Sequence, residues 1–111
     1  MESEWGYLLT QKASADLDDI VEYIVVKLAN PKAASDFTEK LQDVIDEARI
    51  FPESGSPVSN EYLAVTNIRK KLVGNFIMYY QSDFNEKKIL VLRIVYGRRN
   101  MDEVLREINF S

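Results

Sequence analysis

Leu72-Val73-Gly74-Asn75-Phe76-Ile77-Met78-Tyr79-Tyr80 decides how the second half of this chain folds. Strand-forming residues stand on both sides of a Gly-Asn pair, and those two residue types reach positive φ at little cost, so the segment reads as a tight β-hairpin. Working outward, three strand-like segments span 66–73, 76–82 and 88–95, with Asp83-Phe84-Asn85-Glu86-Lys87 as the second turn. An antiparallel meander is expected. In its last strand strict alternation places Leu90, Leu92 and Ile94 on one face and Val91, Arg93 and Val95 on the other.

Upstream, the two halves are separated by one long loop, residues 52–65, holding Pro52, Gly55 and Pro57 with three serines. Two helices precede it. Ser14 is the expected N-cap of the first, with Asp16, Asp18 and Asp19 near its first turn and Leu17, Ile20, Val21, Ile24 and Leu28 as its buried stripe. Asn30 as N-cap and Pro31 at the first helical position open the second. Its stripe is Ala34, Phe37, Leu41, Val44, Ile45 and Ala48, and Pro52 stops it. So short a connection implies an antiparallel hairpin. A first strand is expected over 5–12. Past Gly97, Asn100 with Glu103 three residues on reads as a capping box for a closing helix, 100–108. The expected architecture is α+β in the order β-α-α-β-β-β-α, with a helical hairpin on one face of a twisted, mainly antiparallel four-stranded sheet.

The 111 residues suit a single domain, 1–111, and 46% hydrophobic with 29% charged residues is the balance of a globular protein with one core. Cysteine and histidine are both absent. Disulfides, thiolate chemistry, Cys/His zinc sites and histidine-based nucleophilic triads are therefore excluded, and proton transfer would fall to Tyr, Lys, Arg, Asp or Glu. The four glycines are scattered, so phosphate loops and dinucleotide fingerprints are absent, and no cofactor or metal is expected. Met1-Glu2-Ser3-Glu4-Trp5 has no signal-peptide character and no apolar run approaches a membrane span, which makes the cytoplasm the expected location.

The net charge of −4 hides a division. Residues 1–61 carry 13 acids and 5 bases (−8), while residues 62–111 carry 9 bases and 5 acids (+4). Two readings follow: differently decorated solvated surfaces, or a C-terminal half that meets something anionic. Arg69, Lys70 and Lys71 lie on the first meander strand, Arg93 on the last, and Arg98 and Arg99 beyond it. Tyr79, Tyr80 and Tyr96 interleave with them. Bases beside aromatic rings can hold phosphate and stack bases, but strand tyrosines with a polar tip and paired arginines give the same pattern. Alternation sets Lys70 on the opposite face from Arg69 and Lys71 unless a bulge or the strand's edge intervenes. The helix acids read as a solvated face.

Several local motifs, in this order, resemble the RelE/ParE superfamily of type II toxin-antitoxin (plasmid stabilisation) toxins. They are Ala15-Asp16-Leu17-Asp18-Asp19-Ile20 with Tyr23-Ile24, Asn30-Pro31-Lys32-Ala33-Ala34 with Phe37 and Leu41, and Phe51-Pro52-Glu53-Ser54-Gly55. Ile68-Arg69, Asn75-Phe76-Ile77-Met78-Tyr79-Tyr80 and Leu92-Arg93-Ile94-Val95-Tyr96-Gly97-Arg98-Arg99-Asn100, running into Val104-Leu105, complete the set. The resemblance implies a cytoplasmic growth inhibitor neutralised by a cognate antitoxin, meeting operator DNA only through the antitoxin complex and having no membrane partner. RelE-like members cleave mRNA on the ribosome, whereas ParE-like members poison DNA gyrase. A third possibility is a non-toxic module that only binds the antitoxin.

For the ribonuclease branch, position carries over Lys70 and Arg99 as catalytic residues. Arg69, Lys71, Arg93, Tyr96 and Arg98 are carried over as target- or phosphate-binding residues. Ile77 stands where that branch has an arginine and Leu105 where it has a tyrosine. The Asn30-Pro31-Lys32-Ala33-Ala34 and Leu92-Arg93-Ile94 segments look more like ParE, and the negative net charge would weaken steering toward RNA. The antitoxin is expected on exposed parts of the sheet and on the closing helix, and an apolar groove left without it would favour homodimers of the free chain.

Overall fold

Thr10 ends the first strand and starts the first helix. Its amide still bonds to the last strand (Thr10 N–H to Val91 O, 3.0 Å), while its side-chain oxygen accepts the amide of Ala13 at 3.1 Å. The computed structural model describes residues 5–58, 67–99 and 101–109. Its elements are β1 (Gly6–Leu9), α1 (Gln11–Glu22), a π-helical turn (Tyr23–Lys27), α2 (Pro31–Ile50), β2 (Ser56–Pro57), β3 (Ile68–Val73), β4 (Phe76–Asp83), β5 (Lys88–Tyr96) and α3 (Met101–Asn109). The N-cap of α1 is thus Thr10 rather than Ser14, four residues earlier than the sequence suggested, because Thr10 is where the β5 ladder lets go.

The sheet has five strands among the described residues, in the order β1-β5-β4-β3-β2, and it is mixed: β1 runs parallel to β5 and the other pairs are antiparallel. This corrects the expected four-stranded sheet and its element order. The added strand lies inside the expected loop, where Ser56 and Pro57 pair with Lys70 and Arg69. A proline is tolerated there because the strand is an edge. Buried Tyr80 holds it in place, its hydroxyl accepting the Gly55 amide at 2.9 Å and donating to Pro52 O at 3.0 Å. Residues 59–66 of that loop lie outside the described residues.

Asn30 caps α2 as expected, its side chain accepting the Ala33 amide at 3.1 Å with Pro31 at the first position. Both helices bury their stripes on one face of the sheet, against Val73, Met78, Tyr80, Ile89, Val91 and Ile94. Leu28 is the exception. The π-turn rotates it out of the stripe, and it is 54% exposed.

The opposite face of the sheet is covered as well. There α3 lays Val104, Leu105 and Ile108 over Ile68, Tyr79, Leu92 and Val95. Asn100, the expected cap of α3, lies outside the described residues. The alternation expected in β5 also breaks. Tyr79 pairs with Arg93 but Tyr80 pairs with Val91, so a bulge at Leu92 puts two successive residues on the α3 side. Leu90 and Leu92 therefore share a face with Val95, while Ile94 joins Val91 under the helical hairpin. No helix among the described residues is long and apolar enough to cross a membrane.

Candidate functional site

The bulge in β5 builds a part-buried cluster of charged side chains. It turns Arg93 toward the place where β1 has ended and the N-terminal part of α1 closes the sheet edge. Arg93 Nε donates to Asp16 Oδ2 at 2.7 Å, a terminal nitrogen donates to Asp16 Oδ1 at 3.0 Å, and the other terminal nitrogen pairs with Glu107 of α3. Asp16 Oδ2 also accepts the Ile94 amide at 2.9 Å, an edge donor that β1 is too short to reach. The side chains are 8% exposed for Arg93 and 15% for Asp16. Such a fork-to-fork pair is oriented and strong, and its hydrogen bonds to Asp16 first of all hold the guanidinium charged.

Glu107 is the hinge between this cluster and the surface. Both its oxygens accept from Arg99, at 3.1 and 2.9 Å, and Lys12 Nζ donates to its backbone carbonyl at 3.0 Å. The Arg93 hydrogen bond, helped by the charges of Arg99 and Lys12, holds the Glu107 carboxyl below its ordinary value against the opposing effect of burial. Arg99 also lies 3.8 Å from Glu103. It rides on a turn that Gly97 presses against Asn75: Gly97 N–H donates to Asn75 O at 2.9 Å, and a Cβ at Gly97 would sit 3.0 Å from that oxygen.

The β3 cations divide as alternation requires. Arg69 and Lys71 face the helical hairpin side, opposite Tyr80 and Met78, and Lys70 faces the α3 side, opposite Tyr79. Arg69 spends its guanidinium on the backbone, donating to Glu53 O at 3.1 Å and Gly55 O at 2.8 Å. Lys71 pairs with Glu47 of α2 at 2.5 Å. The strand's edge nevertheless brings Lys70 and Lys71 to one open groove of ≈ 390 Å³, lined also by Val44, Glu47, Ser56 and Leu72. It forms because β2 stops at Ser56 while β3 runs on.

Lys70 and Arg98 have no ion-pair or hydrogen-bond partner among the described residues for their charged ends, and Arg98 is exposed. Tyr96 is half-exposed, its ring edge-on to Phe76 at 5.8 Å. Tyr79 is buried beneath α3, and burial pushes its phenol up. Asp16 and Glu107, the carboxylates that organise the cluster, did not stand out in the sequence, where Asp16 read as part of a solvated face. Its spacing was a usable signal: Ala13, Asp16, Ile20 and Ile24 follow one another at three- and four-residue steps along the buried stripe. No group of three or more acidic side chains among the described residues is placed to hold a metal ion.

The model of the ParE toxin of the type II toxin-antitoxin system parDE matches residues 7–101. The chain belongs to that family. Among solved structures, this ParE-family chain is similar to one from the chromosomal ParDE system of P. aeruginosa at 24% identity and TM-score 0.64, covering 83% of this chain and 95% of that one. A chain of the RelBE2 toxin-antitoxin complex of Mycobacterium tuberculosis is similar at 15% identity and TM-score 0.58, covering 85% and 99%. A chain of the archaeal RelE-RelB complex of Pyrococcus horikoshii OT3 is similar at 12% and 0.50, covering 86% and 98%. At these identities the structures establish a shared fold. No protein of curated function matches the sequence. In the ParE-family chain, then, four of the seven candidate residues, Arg69, Lys71, Arg93 and Arg99, make hydrogen bonds or ion pairs within the chain.

Proposed function

We propose that this chain is the growth-inhibiting toxin of a type II module, that a cognate antitoxin neutralises it, and that it acts by binding DNA gyrase rather than by cleaving RNA. The observation that carries the choice is the commitment of the cations. A ribonuclease without histidine needs free bases around the scissile phosphate and a group of suitable pKa to move the proton. Here Arg99 is tied to Glu107, and Lys70 faces a tyrosine sealed beneath α3. Ile77 and Leu105, at positions where the ribonuclease branch carries arginine and tyrosine, are apolar, and Leu105 is fully buried. None of these four side chains is placed to relay a proton.

The antitoxin fits the β3 edge. Leu72 is 71% exposed in the groove that Val44, Lys70 and Lys71 also line, a surface suited to an extended acidic segment carrying apolar side chains. Lys70, in that groove, then serves antitoxin binding rather than the target.

Supercoiling by purified gyrase in the presence of the purified chain tests the reading. Inhibition is expected, and the Lys70→Ala/Arg99→Ala double variant is expected to retain it. Cleavage of ribosome-bound mRNA that the same double variant abolishes would instead establish the ribonuclease. Absence of any effect on growth, with antitoxin binding intact, would leave only a regulatory module.

A further inference from the structure

We infer that the tip of the α1–α2 hairpin is the surface by which this chain grips its target protein, and that the target presents to it an apolar groove with a basic rim. The inference rests on the toxin reading above and adds the place and chemistry of contact. It begins at Leu28, which lies four residues after buried Ile24 and would continue the core stripe in an ordinary α-helix. Instead Leu28 N–H bonds to Tyr23 O, five residues back, at 3.1 Å, and Asn30 N–H bonds to Ile24 O at 3.1 Å. The widened π-turn carries Leu28 into solvent.

The next residue, Ala29, has φ +49°, the left-handed conformation that ends many helices and is usually taken by glycine. Two successive backbone irregularities thus have one common result. Tyr23, Val25, Val26 and Leu28 stand exposed together at the hairpin tip, Val26 at 65%. These four side chains contribute little to the core, and π-turns recur at functional sites. The tip is also well fixed, since capped Asn30 and Pro31 set the direction in which α2 leaves.

Charge selects the occupant. Asp18, Asp19 and Glu22 are exposed along α1 just before the tip and have no ion-pair partner among the described residues. On the α2 side Lys32 is engaged by Asp36 at 3.3 Å, which leaves Lys27 as the one cation at the tip without a partner among the described residues. An acidic rim repels RNA and a second copy of the same tip. It also has the wrong sign for the acidic segment assigned to the β3 edge. A basic-rimmed apolar groove on a protein complements it.

The test compares the wild type with Val26→Ser/Leu28→Ser and with Asp19→Lys/Glu22→Lys in gyrase supercoiling, growth arrest, antitoxin binding and thermal melting. All four positions are exposed, so folding and antitoxin binding are expected to persist, while gyrase inhibition weakens at least tenfold in both variants and growth arrest is lost. Deleting Val26, which returns the π-turn to α-helical phase and reburies Leu28, is expected to have the same effect on inhibition. Undiminished gyrase inhibition by the folded tip variants overturns the inference, as does arrest that depends on Lys70 and Arg98 and ignores the tip. If the wild type itself neither inhibits gyrase nor arrests growth, the toxin reading has failed and this inference falls with it.

Discussion

Asp16 shows what a single carboxylate does when a strand ends early. It accepts three hydrogen bonds, two from Arg93 and one from the Ile94 amide, at a sheet edge that β1 does not reach. Removing it leaves a buried guanidinium and an edge amide without their acceptor. Asp16→Ala is therefore expected to cost about 3–5 kcal/mol in urea unfolding, whereas Lys70→Ala stays within about 0.5 kcal/mol. Glu107 adds a pH dependence. Its carboxyl is lowered in the folded chain, so the stability it contributes is present above the ordinary value of 4.5 and is lost as pH falls through the folded value. Glu107→Gln should consequently be less stable than the wild type at neutral pH, with the two unfolding midpoints converging in acid. Neither partner was legible from residue type, because an acid near a helix start is usually solvated, and only its place on the Ala13–Ile20–Ile24 stripe marked Asp16.

At the scale of elements, the segments with a clear period were legible and the departures from period were not. The Gly74-Asn75 hairpin, with Gly74 at φ +62°, the capped start of α2 and the three meander strands lie close to where the sequence put them. The bulge at Leu92 and the π-turn at Tyr23–Lys27 each shift the phase of a run of apolar residues whose composition stays the same, so Ile94 and Leu28 changed sides without any change in pattern. β2 escaped because two residues carry no period at all. It depends on a side chain twenty-four residues away, and Tyr80→Phe removes both the acceptor for the Gly55 amide and the donor to Pro52 O. That change is expected to lower stability by about 1–3 kcal/mol and to raise amide exchange at Gly55 and Ser56, as measured by hydrogen exchange.

For the whole molecule, the charge division of the sequence becomes a division in space. The acidic half supplies the helical hairpin and its tip, and the basic half supplies the sheet edge at Lys70 and Lys71 and the turn at Arg98. Four of the seven basic and aromatic residues that the sequence nominated as catalytic or target-binding candidates contact carboxylates and carbonyls of the chain itself, which residue type could not reveal and contact geometry does. The family was legible because its motifs are spread over nearly the whole chain in order. The target was not, because chains of ParDE and RelBE systems share that scaffold. Tightly controlled expression in bacteria, following labelled thymidine and labelled methionine over the first minutes, tests the choice most directly. Thymidine incorporation is expected to fall first, with protein synthesis continuing; prompt loss of methionine incorporation while DNA synthesis continues would contradict a gyrase-directed toxin.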